Sequence, residues 1–216
     1  MVRKRYLGLS LSVVALVSLP ALAQKPAADM SFFVTSANPG KGGDLGGLKG
    51  ADAYCQSLAS KVGAGSKTWH AYLSTDKENA KDRIGNGPWY NFNGVMIAKD
   101  VADLHSANNH IMAETALNEM GKAPHYLSGN PPKVETPPLQ HDMMTGTKED
   151  GTASDMTCNN WTDGSDDAKA TLGHADRKGR DEGVNSWNDV HPSRGCSLEQ
   201  LAPTGSAGLF YCFAVN

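Results

Sequence analysis

No apolar run in this chain is long enough for a comfortable membrane span. The candidate, Leu7 to Leu19, is closed by Pro20, whereas a spanning helix needs roughly 20 such residues. A basic patch is also missing: the formal charge is −3, and it becomes −6 once Arg3, Lys4 and Arg5 are removed, which argues against nucleic acid or an anionic membrane surface as partner. The stretch Asn38 to Gly47 holds five glycines between Gly40 and Gly47 but no Gly-Lys-Ser/Thr ending, so a phosphate-cradling loop is excluded. There is no His-Glu-x-x-His and no Gly-x-Ser-x-Gly, which removes the spaced signatures of zinc peptidases and serine hydrolases. No internal repeat is present, and no histidine precedes His70.

What is present begins with an export signal. Arg3, Lys4 and Arg5, the apolar run, and the small-residue sequence Ala21-Leu22-Ala23 have the order of a secretory signal peptide. Residues 1–23 are therefore expected to be removed, 24–30 to form a linker and 31–216 to form the domain, in the periplasm or outside the cell. No cysteine follows the cleavage site, so a lipid anchor is not expected. Cys55, Cys158, Cys196 and Cys212 all lie in the mature part, and an even count in an exported chain reads as two disulfides with three possible pairings. About 190 residues suffice for one domain with a real core. With 23 glycines, 11 prolines and few helix-length periodic segments, the composition points to a loop-rich α+β fold instead of a bundle.

Ser31 to Ser36 has the β-branched and aromatic content of a strand. Ala51, Tyr54, Cys55, Leu58, Ala59 and Val62 recur on one helical face, with Gly63 as a left-handed stop, so Cys55 is expected to face the core. Thr68 to Ser74 alternates Trp69, Ala71 and Leu73 as a half-buried strand does, leaving His70 on the outer side. Val95 to Leu104 reads as a strand entering a short helix, and a second helix is expected from Asn108 or Asn109 through Met120, stopping at Gly121. From Lys122 to Thr157 apolar periodicity fades among prolines and polar residues, and loops of this length are usually functional or disordered. Polar groups around an aromatic continue it at Asn159 to Asp163 and at Gly173 to Arg177. Leu209 to Val215 is apolar on both faces, as a central strand would be.

Gly46-Gly47-Leu48-Lys49-Gly50-Ala51-Asp52-Ala53-Tyr54-Cys55 opening a helix, then Trp69 to Ser74, an irregular region with Cys158, Trp187-Asn188-Asp189, Cys196 and finally Phe210-Tyr211-Cys212-Phe213 resembles the C-type lectin-like fold. The helix start and the Trp-x-Ala-x-Leu-Ser strand are most similar to its endostatin-like branch and to related exported bacterial domains. The resemblance implies two short helices, a small antiparallel sheet, a long-loop region, and the pairings Cys55 with Cys212 and Cys158 with Cys196. It further implies Ca²⁺ as the ion that Asn188 and Asp189 would bind, since hard cations take oxygen ligands. No Glu-Pro-Asn or Gln-Pro-Asp triplet lies upstream, Asn130-Pro131-Pro132 being the nearest counterpart. The expected activity is non-catalytic recognition of a glycan or an extracellular or envelope protein, with Trp161, Asp163, Trp187, Asn188 and Asp189 as ligand contacts.

Two further function classes compete with this reading. His141-Asp142, His174-x-Asp176 and His191 fall together in the polar region, and histidine with nearby carboxylates binds zinc or acts as a base. A metal-dependent hydrolase would use His141, His174, Asp176 and His191. The third class is a structural envelope domain without a small ligand.

Overall fold

A computed structural model of the chain describes Met1 and residues 24–126, 138–179 and 185–215. Apart from Met1, the expected signal segment lies outside the described residues, as does Asn130-Pro131-Pro132. In chain order the strands are β1 (Phe32–Val34), β2 (Trp69–Ala71), β3 (Trp89–Tyr90), β4 (Met96–Ala98), β5 (Asp142–Met144), β6 (Thr171–His174), β7 (His191–Pro192), β8 (Ser206–Leu209) and β9 (Tyr211–Ala214). Helix α1 (Gly47–Lys61) is the only helix of more than one turn among the described residues; Ala80–Arg83, Val101–Leu104 and Leu198–Leu201 are single turns.

The apolar C-terminal run divides its residues between two sheets. Strand β9 lies between β1 and β2, antiparallel to both, so that Cys212 faces Phe33 on one side and Ala71 on the other. Because successive side chains alternate faces, Phe33, Ala71 and Cys212 pack with Ala51, Cys55 and Leu58 of α1. Phe32, Tyr211 and Phe213 pack on the opposite side with Tyr72, Trp89 and Trp187. Strand β8 instead pairs parallel with β5 in a four-stranded sheet of order β7-β6-β5-β8. The small sheets, few helices and two disulfides make this an α+β domain. No helix among the described residues is long and apolar enough to cross a membrane.

Helix α1 buries Ala51, Cys55, Leu58 and Ala59 as their spacing predicts, and Gly63 beyond it has φ 86°. Cys55 is bonded to Cys212 and Cys158 to Cys196, the pairing that the resemblance implies. Closing loops of 157 and 38 residues contributes about 5 and about 4 kcal/mol in the chain-entropy account.

Three expectations are corrected. The helix expected from Asn108 to Met120 does not form. Asn109 Oδ1 accepts from Ile111 N, Thr115 Oγ1 accepts from Met112 N, and Asn118 Oδ1 accepts from Met120 N and Lys122 N; such local bonds compete with a helical ladder. The small sheet is three sheets, with one parallel pair. Finally, the polar region contains β5 and β6 with Met143, Met144 and Leu172 in the core; at three and four residues, they are too short for their periodicity to stand out.

Candidate metal centre

Asp142 opens β5 and His174 closes β6, directly opposite one another in the antiparallel register. His191 on β7 faces Leu172, two residues before His174, so it falls on the same side of the sheet within diagonal reach. His141 precedes β5 and is tied to the end of β6 by Ala175 N, which donates to His141 O. Three imidazoles and a carboxylate from distant parts of the chain are thereby brought to one end of the β5-β6-β7 edge.

The Nε2 atoms of His141 and His174 each lie 3.1 Å from Asp142 Oδ1, and His191 Nε2 lies 3.5 Å from Oδ2. His174 Nε2 and His191 Nε2 are 3.1 Å apart. Four donors about 2.0–2.1 Å from a common centre, the usual zinc–nitrogen and zinc–oxygen distances, sit about 3.3–3.4 Å apart when tetrahedral. The separations of 3.1 and 3.5 Å lie on either side of that value for these pairs, and His141, Asp142 and His174 form the set whose donor atoms all lie within 4.8 Å of one another.

The outer ring nitrogens fix which way each imidazole presents its lone pair. His174 Nδ1 is 2.6 Å from Lys178 O, and His191 Nδ1 is 3.1 Å from Pro192 O. A carbonyl only accepts, so Nδ1 donates in both rings and Nε2 carries the lone pair. His141 Nδ1 lies 3.1 Å from the Asp176 carboxylate, which sets the same tautomer and raises the basicity of the inward nitrogen. Lys178 N donates to that Asp176 oxygen at 3.0 Å, so both outer contacts come from the turn after β6.

Asp142 is the residue of this arrangement that most needs a positively charged partner. Its side chain is 0% exposed, and neither carboxylate oxygen has a hydrogen-bond donor among the described residues despite the imidazoles around it. Buried charges are ordinarily paired or coordinate metals. Burial, the largest single effect, pulls His174 down, but Asp142, the Lys178 carbonyl and Asp176 together outweigh it and hold the imidazole above its ordinary value. The pocket thus favours positive charge. Gly205 completes its wall: at φ 102°, a Cβ there would sit 2.9 Å from His141 Nε2.

A protein-family model described as "Protein of unknown function (DUF1554)" matches residues 38–178. The chain belongs to this family. Within the DUF1554 domain the matched span holds His141, Asp142, His174, Asp176 and Lys178, and it ends before His191. No curated protein matches the chain.

The residues expected to contact a glycan are not brought together. Trp161 and Trp187 are both buried, in the two halves of the core on opposite sides of β9, so neither ring is presented to a ligand. Trp161 Nε1 donates to Ser74 O, and the Trp187 ring packs 4.7 Å from that of Tyr72. Asp163 accepts from Ser165 in a local turn, which keeps its carboxyl below the usual range. The Asn188 carboxamide donates to the Tyr72 hydroxyl and to the carbonyls of Lys148 and Glu149, and accepts from Ser186 Oγ. Burial pushes the Asp189 carboxyl up, against a hydrogen bond from the Glu149 backbone that pulls it down. Asn188 therefore orders a loop instead of offering an oxygen to Ca²⁺. The hydrolase set is brought together, with Asp176 as the outer partner of His141 and Asp142 in the inner position. Sequence reasoning noted the His141-Asp142 pair but gave Asp142 no role of its own.

Proposed function

We propose that this DUF1554 protein is an exported domain of C-type lectin-like fold that holds a divalent transition-metal ion between His141, Asp142, His174 and His191. The observation that carries the reading is the fully buried Asp142 carboxylate, lacking hydrogen-bond donors and ringed by imidazole nitrogens. Imidazole nitrogens with one carboxylate oxygen are a donor set that suits zinc. Calcium, which takes six to eight oxygens, is poorly matched to it. Four protein donors favour a site that retains its ion over one that turns over substrate, since catalytic zinc sites keep a position for water.

The lectin-like assignment is supported by the terminal strand running between β1 and β2, by the Cys55–Cys212 clamp from α1 to that strand, and by Cys158–Cys196 within the irregular region. Two disulfides suit a periplasmic or secreted location. Recognition of a glycan or protein by the long-loop surface belongs to the same reading, with the metal as the ligand that the geometry supports best.

The test is elemental analysis of the mature chain purified from an oxidising compartment and dialysed against zinc. The expected result is a single zinc per chain, lost in His174→Ala and in Asp142→Asn. Wild-type protein that stays metal-free and whose melting temperature ignores zinc would sink the proposal.

A further inference from the structure

Resting on the metal reading above, we infer that His191 is the exchangeable ligand of the site and that an external carboxylate takes its place. Four observations set His191 apart from the other donors. Its side chain is 33% exposed, against 6% for His141, 7% for His174 and none for Asp142. It stands 3.5 Å from the carboxylate where the other two imidazoles stand at 3.1 Å. It sits on a two-residue strand at the edge of the sheet, paired with β6 alone. The outer contact of its ring is the carbonyl of its own neighbour Pro192, whereas His141 is held by Asp176 and His174 by Lys178 O.

These differences bear on exchange. An imidazole braced from another segment keeps its orientation when the metal leaves, and outer partners of that kind are worth about 10–100-fold in metal affinity. Among the described residues His191 has no such brace from outside its own strand, and rotation of its side chain carries the ring toward solvent. With His191 turned away, His141, Asp142 and His174 remain as a two-imidazole, one-carboxylate set with an open fourth position facing solvent, the composition that zinc sites use when a fourth ligand comes from outside. The charge balance then selects the class of ligand. A divalent ion and the single Asp142 carboxylate leave one positive charge, which an anionic oxygen donor neutralises and a third imidazole does not.

Cobalt substitution gives the readout, because the visible absorption of Co²⁺ changes with its ligands. Wild type, His191→Ala, His191→Gln and His174→Ala are loaded with Co²⁺ and titrated with acetate, with imidazole as the comparison ligand. The expected result is that both His191 variants keep Co²⁺ with weakened affinity, that His174→Ala loses it, and that acetate shifts the spectrum saturably, at lower concentration in the His191 variants than in wild type. Loss of Co²⁺ from both folded His191 variants as complete as from His174→Ala would overturn the inference. A spectrum that acetate leaves unchanged, or one that responds to imidazole alone, would overturn it as well. Wild type that takes up no Co²⁺ would instead refute the metal site itself, an outcome distinct from any difference between the variants.

Discussion

Replacing Asp142 with asparagine is expected to invert the order of stability between metal-free and zinc-loaded protein. Without metal, wild type buries a carboxylate whose two oxygens receive no hydrogen bond from the described residues, and leaving such a group unsatisfied costs about 1–3 kcal/mol, more when it is charged. Asparagine keeps the shape, removes the charge, and can donate to an inward-facing imidazole lone pair. The metal-free variant is therefore expected to be more stable by about 1–3 kcal/mol. At roughly 2–4 °C per kcal/mol for a domain of this size, its melting temperature rises by about 2–12 °C. With zinc at a hundred times its dissociation constant, wild type gains about 2.7 kcal/mol, or about 5–11 °C. The variant, having lost the anionic ligand, gains little.

The assay is thermal unfolding by near-ultraviolet circular dichroism at pH 8, above the ordinary imidazole pKa of about 6.5, once in chelator and once in zinc. A variant that melts below wild type in chelator by the same margin as in zinc refutes the reasoning. In that case Asp142 is paired with an imidazolium of His174, whose pKa stands above its ordinary value. A histidine with a raised folded-state pKa contributes its stability below the unfolded value and loses it as pH rises through the folded one. That alternative therefore predicts a wild-type advantage in chelator that shrinks from pH 6 to pH 9, whereas the metal reading predicts no advantage at pH 8.

Three other outcomes follow from groups away from the centre. Burial holds His105 below its ordinary pKa against the pull of the Val101 carbonyl, so the unfolded chain takes up the proton first. Stability should begin to fall as pH drops below about 6.5 and go on falling until the folded-state pKa is passed; His105→Gln should flatten that part of a melting-temperature profile, and an unchanged slope would count against it. Asn188→Ala removes the donor to Tyr72 Oη and to two loop carbonyls and should cost about 3 kcal/mol in chemical denaturation. Calcium should protect neither protein; calcium-dependent protection of wild type that the variant lacks would return Asn188 to the role of a calcium ligand. Replacing Cys55 and Cys212 by alanine should cost more than replacing Cys158 and Cys196, about 5 against about 4 kcal/mol from their separations of 157 and 38 residues, and the reverse order would show that native packing outweighs chain entropy here.

The legible parts of the chain were those whose period could be counted. Fifteen residues of α1 repeat the helical period several times, and Trp69, Ala71 and Leu73 alternate long enough to name a strand. The sheet that bears the metal centre gave no such signal, because β6 is four residues long and β7 only two. The histidines stood out by type, among polar loop residues with no helical spacing to explain them. Their grouping did not, since 17 residues separate His174 from His191, and only the strand register brings them together. Asp142 was harder still: an aspartate in a charged loop is ordinarily solvated, and its importance arises from complete burial. The Trp187-Asn188-Asp189 triplet misled for the converse reason. A sequence match reports residue type, and here the carboxamide faces inward to Tyr72 instead of outward to an ion.

The placement of the second disulfide bears on what a metal would do at this position. Cys158 and Cys196 tie the start of β6 to the chain leaving β7: Cys158 N donates to Lys169 O just before β6, and Cys196 follows the end of β7. That end of the strand pair is covalently closed. At the other end His174 meets Asp142 across the β5–β6 pair, and the buried carboxylate there opposes pairing of the strands when it has no partner. An apolar residue at position 142 would close the sheet more cheaply, as buried charges replaced by apolar groups of similar volume often show. A bound metal would reverse the sign of that contribution, joining β5, β6 and β7 through Asp142, His174 and His191, with Asp176 and Lys178 in the turn after β6 as outer contacts. The same carboxylate that weakens the empty sheet becomes the anionic ligand that closes it, so stability of the β5-β6-β7 edge and occupancy of the metal centre should rise and fall together.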